Sequence, residues 1–148
     1  MLALEDRELR HWIYSRIIRT GSVPTIREIS HERGGTHAAI AHSLGRLGES
    51  HAFALVPHSG EIWMAHPFSA VPTPYRVNTS TRGYWANCAW DALAIPSMLG
   101  GDAKVDARCP DCTETMRLYF RGGDLSEGDG VVHFAIPPSR FWQNIGFT

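Results

Sequence analysis

The sequence predicts an α+β protein in two parts. The first is an N-terminal winged-helix-like module of three helices and a hairpin. The second is a small mixed or antiparallel β domain with a buried helix. Three observations predict this. Apolar residues recur at helical spacing as far as Leu47, and short apolar runs separated by turn chemistry follow. The prolines Pro67, Pro72 and Pro74 then mark a change of composition. The expected domains are therefore 1–66 and 67–148.

Leu9, Trp12, Ile13 and Ile17 share one helical face, which predicts an amphipathic helix over Leu4 to Arg19. Thr25 followed by Glu28 is a capping-box pattern that opens a second helix over Ile26 to Arg33. Gly34-Gly35 breaks it, and Thr36 caps a third helix, His37 to Ser50, whose inner face carries Ile40, Leu44 and Leu47. Pro57-His58-Ser59-Gly60 joins the runs Ala52 to Val56 and Glu61 to Ala65 into a hairpin. Tyr75 to Val77 reads as a strand. Trp85 to Ile95 reads as a buried helix, stopped by Pro96 and Gly100-Gly101; if Asn87 caps it, Cys88 lies in its first turn. Strands are expected at Ala103 to Ala107, Thr115 to Phe120 and Val131 to Ile136, before a short aromatic segment from Ser139 to Ile145.

Composition narrows the function. The 148 residues are 43% hydrophobic and 20% charged, which excludes wholesale disorder. A net charge of −1 argues against a protein built to coat nucleic acid or anionic membrane. No apolar run approaches the roughly 20 residues that span a bilayer. Three cysteines give no disulfide framework, and a cytoplasmic location is expected. Residues 1–66 hold seven Arg, no Lys and seven Asp+Glu. Their third helix offers Arg46 as its one permanent cation, poor equipment for phosphate or base contacts. His31, His37 and His42 lie near one another at a spacing that matches no usual metal motif.

Cys88 and Asp91 are three residues apart, a spacing that puts thiol and carboxylate on one face of a helix. In the first turn the helix dipole favours thiolate, Asp91 opposes it slightly, and Asp91 can take or deliver a proton. A buried structural cysteine beside a capping aspartate is the alternative reading. Tyr84, Trp85 and Trp90 would exclude water. Trp85, Trp90 and His133 are the candidate substrate-binding residues. Cys109-Pro110-Asp111-Cys112 is half of a zinc ribbon with no second half. Structural zinc, a redox-sensitive thiol pair and plain structural cysteines all remain open for it.

Arg76-Val77 and the run Gly83-Tyr84-Trp85-Ala86-Asn87-Cys88-Ala89-Trp90-Asp91-Ala92-Leu93-Ala94-Ile95-Pro96 resemble the core motif of the alkylmercury (organomercurial) lyases. Pro72 to Tyr75, Ala103 to Cys109 and Val132-His133-Phe134 extend the similarity. The resemblance implies a winged-helix-like domain followed by a β-rich catalytic domain. It also implies that Cys88 binds mercury, the substrate metal, and that Asp91 protonates the carbon as the carbon–mercury bond breaks; a related lyase reaction on another soft electrophile is the neighbouring expectation. No cofactor would be required, and mercury(II) would be the product. The partners would be a small-molecule substrate and external thiols, without membrane or nucleic acid. The family's second mercury-binding cysteine would precede Val132, where this chain has Asp129-Gly130. A non-catalytic winged-helix regulator, or a metal or thiol sensor, is the competing expectation.

Overall fold

The structure, a computed structural model, describes residues 2–147. The chain divides into two compact units, Met1–Val71 and Pro72–Thr148.

In the first unit three helices, α1 (Leu4–Thr20), α2 (Ile26–Arg33) and α3 (His37–Glu49), precede an antiparallel sheet of β1 (Ala54–Leu55), β2 (Ile62–Ala65) and β3 (Phe68–Ser69). The capping box forms as its spacing requires. Thr25 N–H donates to Glu28 Oε2 at 2.8 Å, and Glu28 N–H donates to Thr25 Oγ1 at 3.2 Å. The carboxylate of Glu61 satisfies a further N-terminal donor, Ile26 N–H, at 2.8 Å. Leu9, Ile13, Ile17, Ile40, Leu44 and Leu47 are buried, as their helical spacing predicts. Charge is tied down as well. Arg16, buried in α1, reaches Glu32 at 2.9 Å and Glu28 at 3.0 Å. Arg46 forks onto Asp6, with Nε–Oδ2 at 2.8 Å and a second contact at 2.6 Å. This commits the one arginine of α3 to α1.

The second unit is a five-stranded antiparallel sheet in the order β5-β4-β6-β7-β8. Its strands are β4 (Tyr75–Thr79), β5 (Gly83–Trp85), β6 (Ala103–Arg108), β7 (Thr115–Arg121) and β8 (Asp124–Glu127). The helix α4 (Ala89–Leu99) packs across β4 and β6. Val77 pairs with Tyr84 and Val105, and Val105 with Leu118. These four are buried, so the face they share is the one that α4 covers with Ala92 and Ile95. Side chains alternate between faces along a strand. Tyr75 and Ala107 therefore belong to the α4 face, while Arg76, Trp85, Lys104 and Asp106 belong to the other.

Several expected elements differ. The helix predicted from Trp85 begins only at Ala89, because Gly83–Trp85 is used as a strand against β4. Pro96 does not stop it. Pro96 lies buried inside α4, and Gly100 ends the helix in a left-handed conformation at φ 67°, where glycine carries no Cβ penalty. A proline in a helix interior costs a hydrogen bond. The packing of this apolar helix on the sheet offsets that loss. The strand expected at Val131 to Ile136 does not form. β8, reached through the Gly122-Gly123 turn, takes the place beside β7, and residues 128–135 run without a ladder. Exposure still alternates there, with Val132, Phe134 and Ile136 half-buried and Val131 91% exposed. The alternation thus reflected which side chains face the protein, not hydrogen bonding. β3 and β8 were not foreseen, and the aromatic segment is a 3-10 helix, Pro138–Gln143.

Candidate active site

β5 leads through Ala86 and Asn87 directly into α4, and Cys88 stands at the junction. Its backbone is extended (φ −147°, ψ 179°), so it is the N-cap of α4 rather than a first-turn residue, and Asn87 is not the cap. Asp91 N–H donates to the Cys88 sulfur at 3.4 Å, the bond an N-cap serine would accept through oxygen. Trp90 N–H points at the same sulfur. Asn87 Nδ2 donates to Asp91 Oδ2 at 3.0 Å, which fixes the carboxylate beside the thiol. Thiol and carboxylate are brought together as the spacing predicts, though across a cap and not along a helix face.

The electrostatic expectation is corrected. Burial pushes the Cys88 thiol above its ordinary range, the Asp91 charge adds to this, and the two backbone donors only partly offset it. The thiol therefore rests mainly protonated at neutral pH, beside the Asp91 carboxylate.

Of the other candidate residues, Trp90 is 58% exposed and meets Phe134 edge-on at 6.2 Å. Phe134 in turn packs on Phe141 at 5.4 Å. These contacts carry the segment around His133 to the start of α4, while His133 itself is exposed. Trp85 lies on the face away from α4, with the Arg76 guanidinium stacked over its ring at 4.4 Å. A Cβ at Gly83 would strike that guanidinium. Trp85 is thus not a wall of the Cys88 site. Tyr84 is buried beneath α4. A groove of about 330 Å3 in this unit, lined by Asn78, Asp102, Lys104, Tyr119 and Glu127, sits at the opposite end of β4 from Cys88 and holds none of the three cysteines.

Sequence reading missed Tyr75, Phe134 and Phe141. Tyr75 occupies the α4 face of β4, within electrostatic range of both Cys88 and Cys109; burial pushes its phenol up, and the two thiols add to the shift. Strand alternation would have placed it, had Cys88 been read as following a strand. Cys109 and Cys112 close the turn between β6 and β7, and all three cysteines are free thiols. The backbone N–H groups of Cys112 and Asp111, with the Cys112 thiol, hold the Cys109 thiol below its ordinary range. Among the described residues no group of three or more His, Cys, Asp and Glu could hold a metal ion. Zinc, one of the three readings left open for this pair, would find two such ligands there among the described residues, where tetrahedral coordination needs four.

The model of the alkylmercury lyase family (MerB) matches residues 68–148, which include the whole second unit and every candidate site residue. The chain belongs to the alkylmercury lyase family. Comparison with curated proteins finds no match. Among solved structures, the chain is similar to the crystal structure of the mercury-bound form of MerB2, with a TM-score of 0.65 at 21% identity. The likeness covers 86% of this chain and 61% of that one, so the present sequence spans about three fifths of the length of its structural relative. At that identity the likeness establishes the α+β fold. Alkylmercury lyases act on small organomercurials, need no cofactor and release Hg(II). Among the described residues no helix is long and apolar enough to cross a membrane.

Proposed function

We propose that this alkylmercury lyase family member cleaves carbon–mercury bonds by protonolysis, with Cys88 as the mercury ligand and Asp91 as the proton carrier. The observation that carries the reading is the cap of α4, where Asp91 N–H holds the Cys88 sulfur and Asn87 holds the Asp91 carboxylate. An organomercurial arrives as its complex with an external thiol. Mercury binding to Cys88 displaces the thiol proton, which Asp91 accepts. Asp91 then delivers that proton to the mercury-bound carbon, releasing hydrocarbon and leaving Hg(II) between Cys88 and the external thiolate. Protons balance, and no redox partner is needed. A soft thiolate pair is what weakens a carbon–mercury bond. With Asp129-Gly130 before Val132, the external thiol supplies the second sulfur. Trp90 and Phe134 offer the organic group an apolar edge.

The helical unit serves as a packing module rather than a nucleic-acid reader, in keeping with a cytoplasmic enzyme of small-molecule substrates. Its support is the pairing of Arg46 with Asp6, which takes away the one cation α3 would present. Incubating the protein with a phenylmercury salt and excess monothiol, and measuring released benzene by gas chromatography, tests the function. Release well above a Cys88→Ser control is expected. Release no greater than that control would remove carbon–mercury cleavage.

A further inference from the structure

The mechanism leaves two thiols unused. The turn between β6 and β7 is built to hold them together. Cys109 N–H donates to Glu114 O at 2.9 Å and Thr113 N–H to Cys109 O at 3.0 Å, while Thr113 turns the chain at φ 62°. Arg108 Nε braces the loop on Thr113 O at 3.3 Å. This fold brings the Cys112 thiol onto the Cys109 sulfur, which the N–H groups of Asp111 and Cys112 also face. Cys112 is exposed and Cys109 half-buried, so the pair is open to solvent on one side. Continuing the alternation of Ala103, Val105 and Ala107 puts Cys109 on the α4 face, the face of Tyr75 and Cys88.

Two convergent sulfurs with no third such ligand among the described residues suit a soft cation that accepts linear two-coordination, not tetrahedral zinc. We infer that Cys109 and Cys112 form a dithiolate acceptor site for such a cation, and that in this chain it takes the Hg(II) leaving Cys88. The choice of Hg(II) rests on the lyase reading; the two-thiol site does not. The exchange is balanced. Cys88-S–Hg–S-R and two thiols, Cys109-SH and Cys112-SH, give Cys109-S–Hg–S-Cys112, Cys88-SH and R-SH. Two sulfur–mercury bonds break and two form, two protons change partner, and nothing is oxidised. The site thereby clears Cys88 for another substrate, a task that an external monothiol performs only at high concentration.

The test is retention of inorganic Hg(II), added as the chloride to fully reduced protein in excess monothiol, with metal measured after gel filtration. Wild type and Cys88→Ser are expected to retain about one Hg(II) per chain. Cys112→Ser and Cys109→Ser should each weaken retention by about a hundredfold or more, the loss expected when an intramolecular second ligand is removed. Cys112 is exposed, so its variant remains folded, and a thermal melt confirms this. Retention lost in Cys88→Ser but kept in Cys112→Ser overturns the inference. So does a wild type that retains no Hg(II). Benzene release from a phenylmercury salt, measured in parallel on the same protein preparations, separates the two readings. No release with retention intact strikes the lyase reading and leaves the dithiol site supported, whereas release without retention strikes the site alone.

Discussion

The two units use their polar residues in opposite ways. In the helical unit, charge is a structural material: Arg16 lies between Glu28 and Glu32, and Arg46 is forked onto an Asp6 that is 1% exposed. In the sheet unit the polar groups that matter are soft or weakly acidic. Cys88, Cys109 and Tyr75 gather at one end of the sheet, on the face covered by α4. The contrast extends to pH. Hydrogen bonding from Arg46 holds Asp6 below the ordinary carboxylate range, and the Thr25 N–H does the same for Glu28. Burial instead pushes Cys88, Tyr75 and Tyr84 above their ordinary ranges. A motif that looks like a DNA reader is thus occupied internally, and a plain small sheet carries the reactive groups. Shared helix order says little about function until the charges on it are followed to their partners.

The sharpest way to break this comparison is at Asp91. Asp91→Asn should lower hydrocarbon release by about 10²–10⁴-fold, the usual share of a proton-transfer group. It should also quicken alkylation of Cys88 by iodoacetamide at neutral pH, because the neighbouring negative charge that holds the thiol protonated is gone. Mass-spectrometric labelling rates and gas chromatography read the two effects. Unchanged release together with unchanged labelling would show that the side chains do not share a site.

Next in size is the charge pair of the helical unit. Asp6→Ala should lower stability in urea by about 2 kcal/mol, short of the roughly 3–5 lost from a fully buried pair because Arg46 keeps some water. The pH signs follow from the shifts. Stabilisation from the lowered carboxyls Asp6 and Glu28 is complete above their ordinary range and lost as pH falls through the lowered values. That from the raised Cys88, Tyr75 and Tyr84 is complete below their ordinary values and lost as pH rises through the raised ones. Proteolysis or amide exchange resolved by unit should show the helices loosening first in acid and the sheet first in alkali.

A gain is expected at Asp129→Cys, which restores a thiol at the position before Val132. Gly130 lies against the side chain of Met116, which pairs with Ala107 on the α4 face of the sheet. Turnover at limiting external thiol should rise about tenfold, a barrier change of roughly 1.4 kcal/mol. A variant no faster than wild type would mean that the segment does not reach the mercury. The smallest effect is Gly83→Ala. Its methyl group displaces the Arg76 guanidinium from Trp85 and should cost about 0.5–1 kcal/mol, with a change in tryptophan fluorescence and unaltered Cys88 labelling.

Local chemistry settled much of this in the sequence. The Thr25/Glu28 capping box, the faces of α1 and α3, the extended segments at Ala103 and Thr115 and the closeness of Cys88 and Asp91 all follow from residues at most a turn or two apart. Non-local packing decided the rest. Whether Trp85 belongs to a strand or a helix depends on β4 offering its edge to Gly83–Trp85, and that choice sends Trp85 to the far face and makes Cys88 a cap. Pro96 is tolerated in α4 because the sheet beneath it supplies the burial. Val131 to Ile136 has the alternation of a strand, but β8 already occupies the edge of β7. The same holds for charge and sulfur. Sequence shows Arg46 as a lone cation, and only the crossing of α1 and α3 gives it Asp6 as a partner. Dipole reasoning favours a thiolate at Cys88, and only the folded burial of that sulfur reverses the sign, because desolvation is a property of the whole packed surface and not of neighbours in the chain.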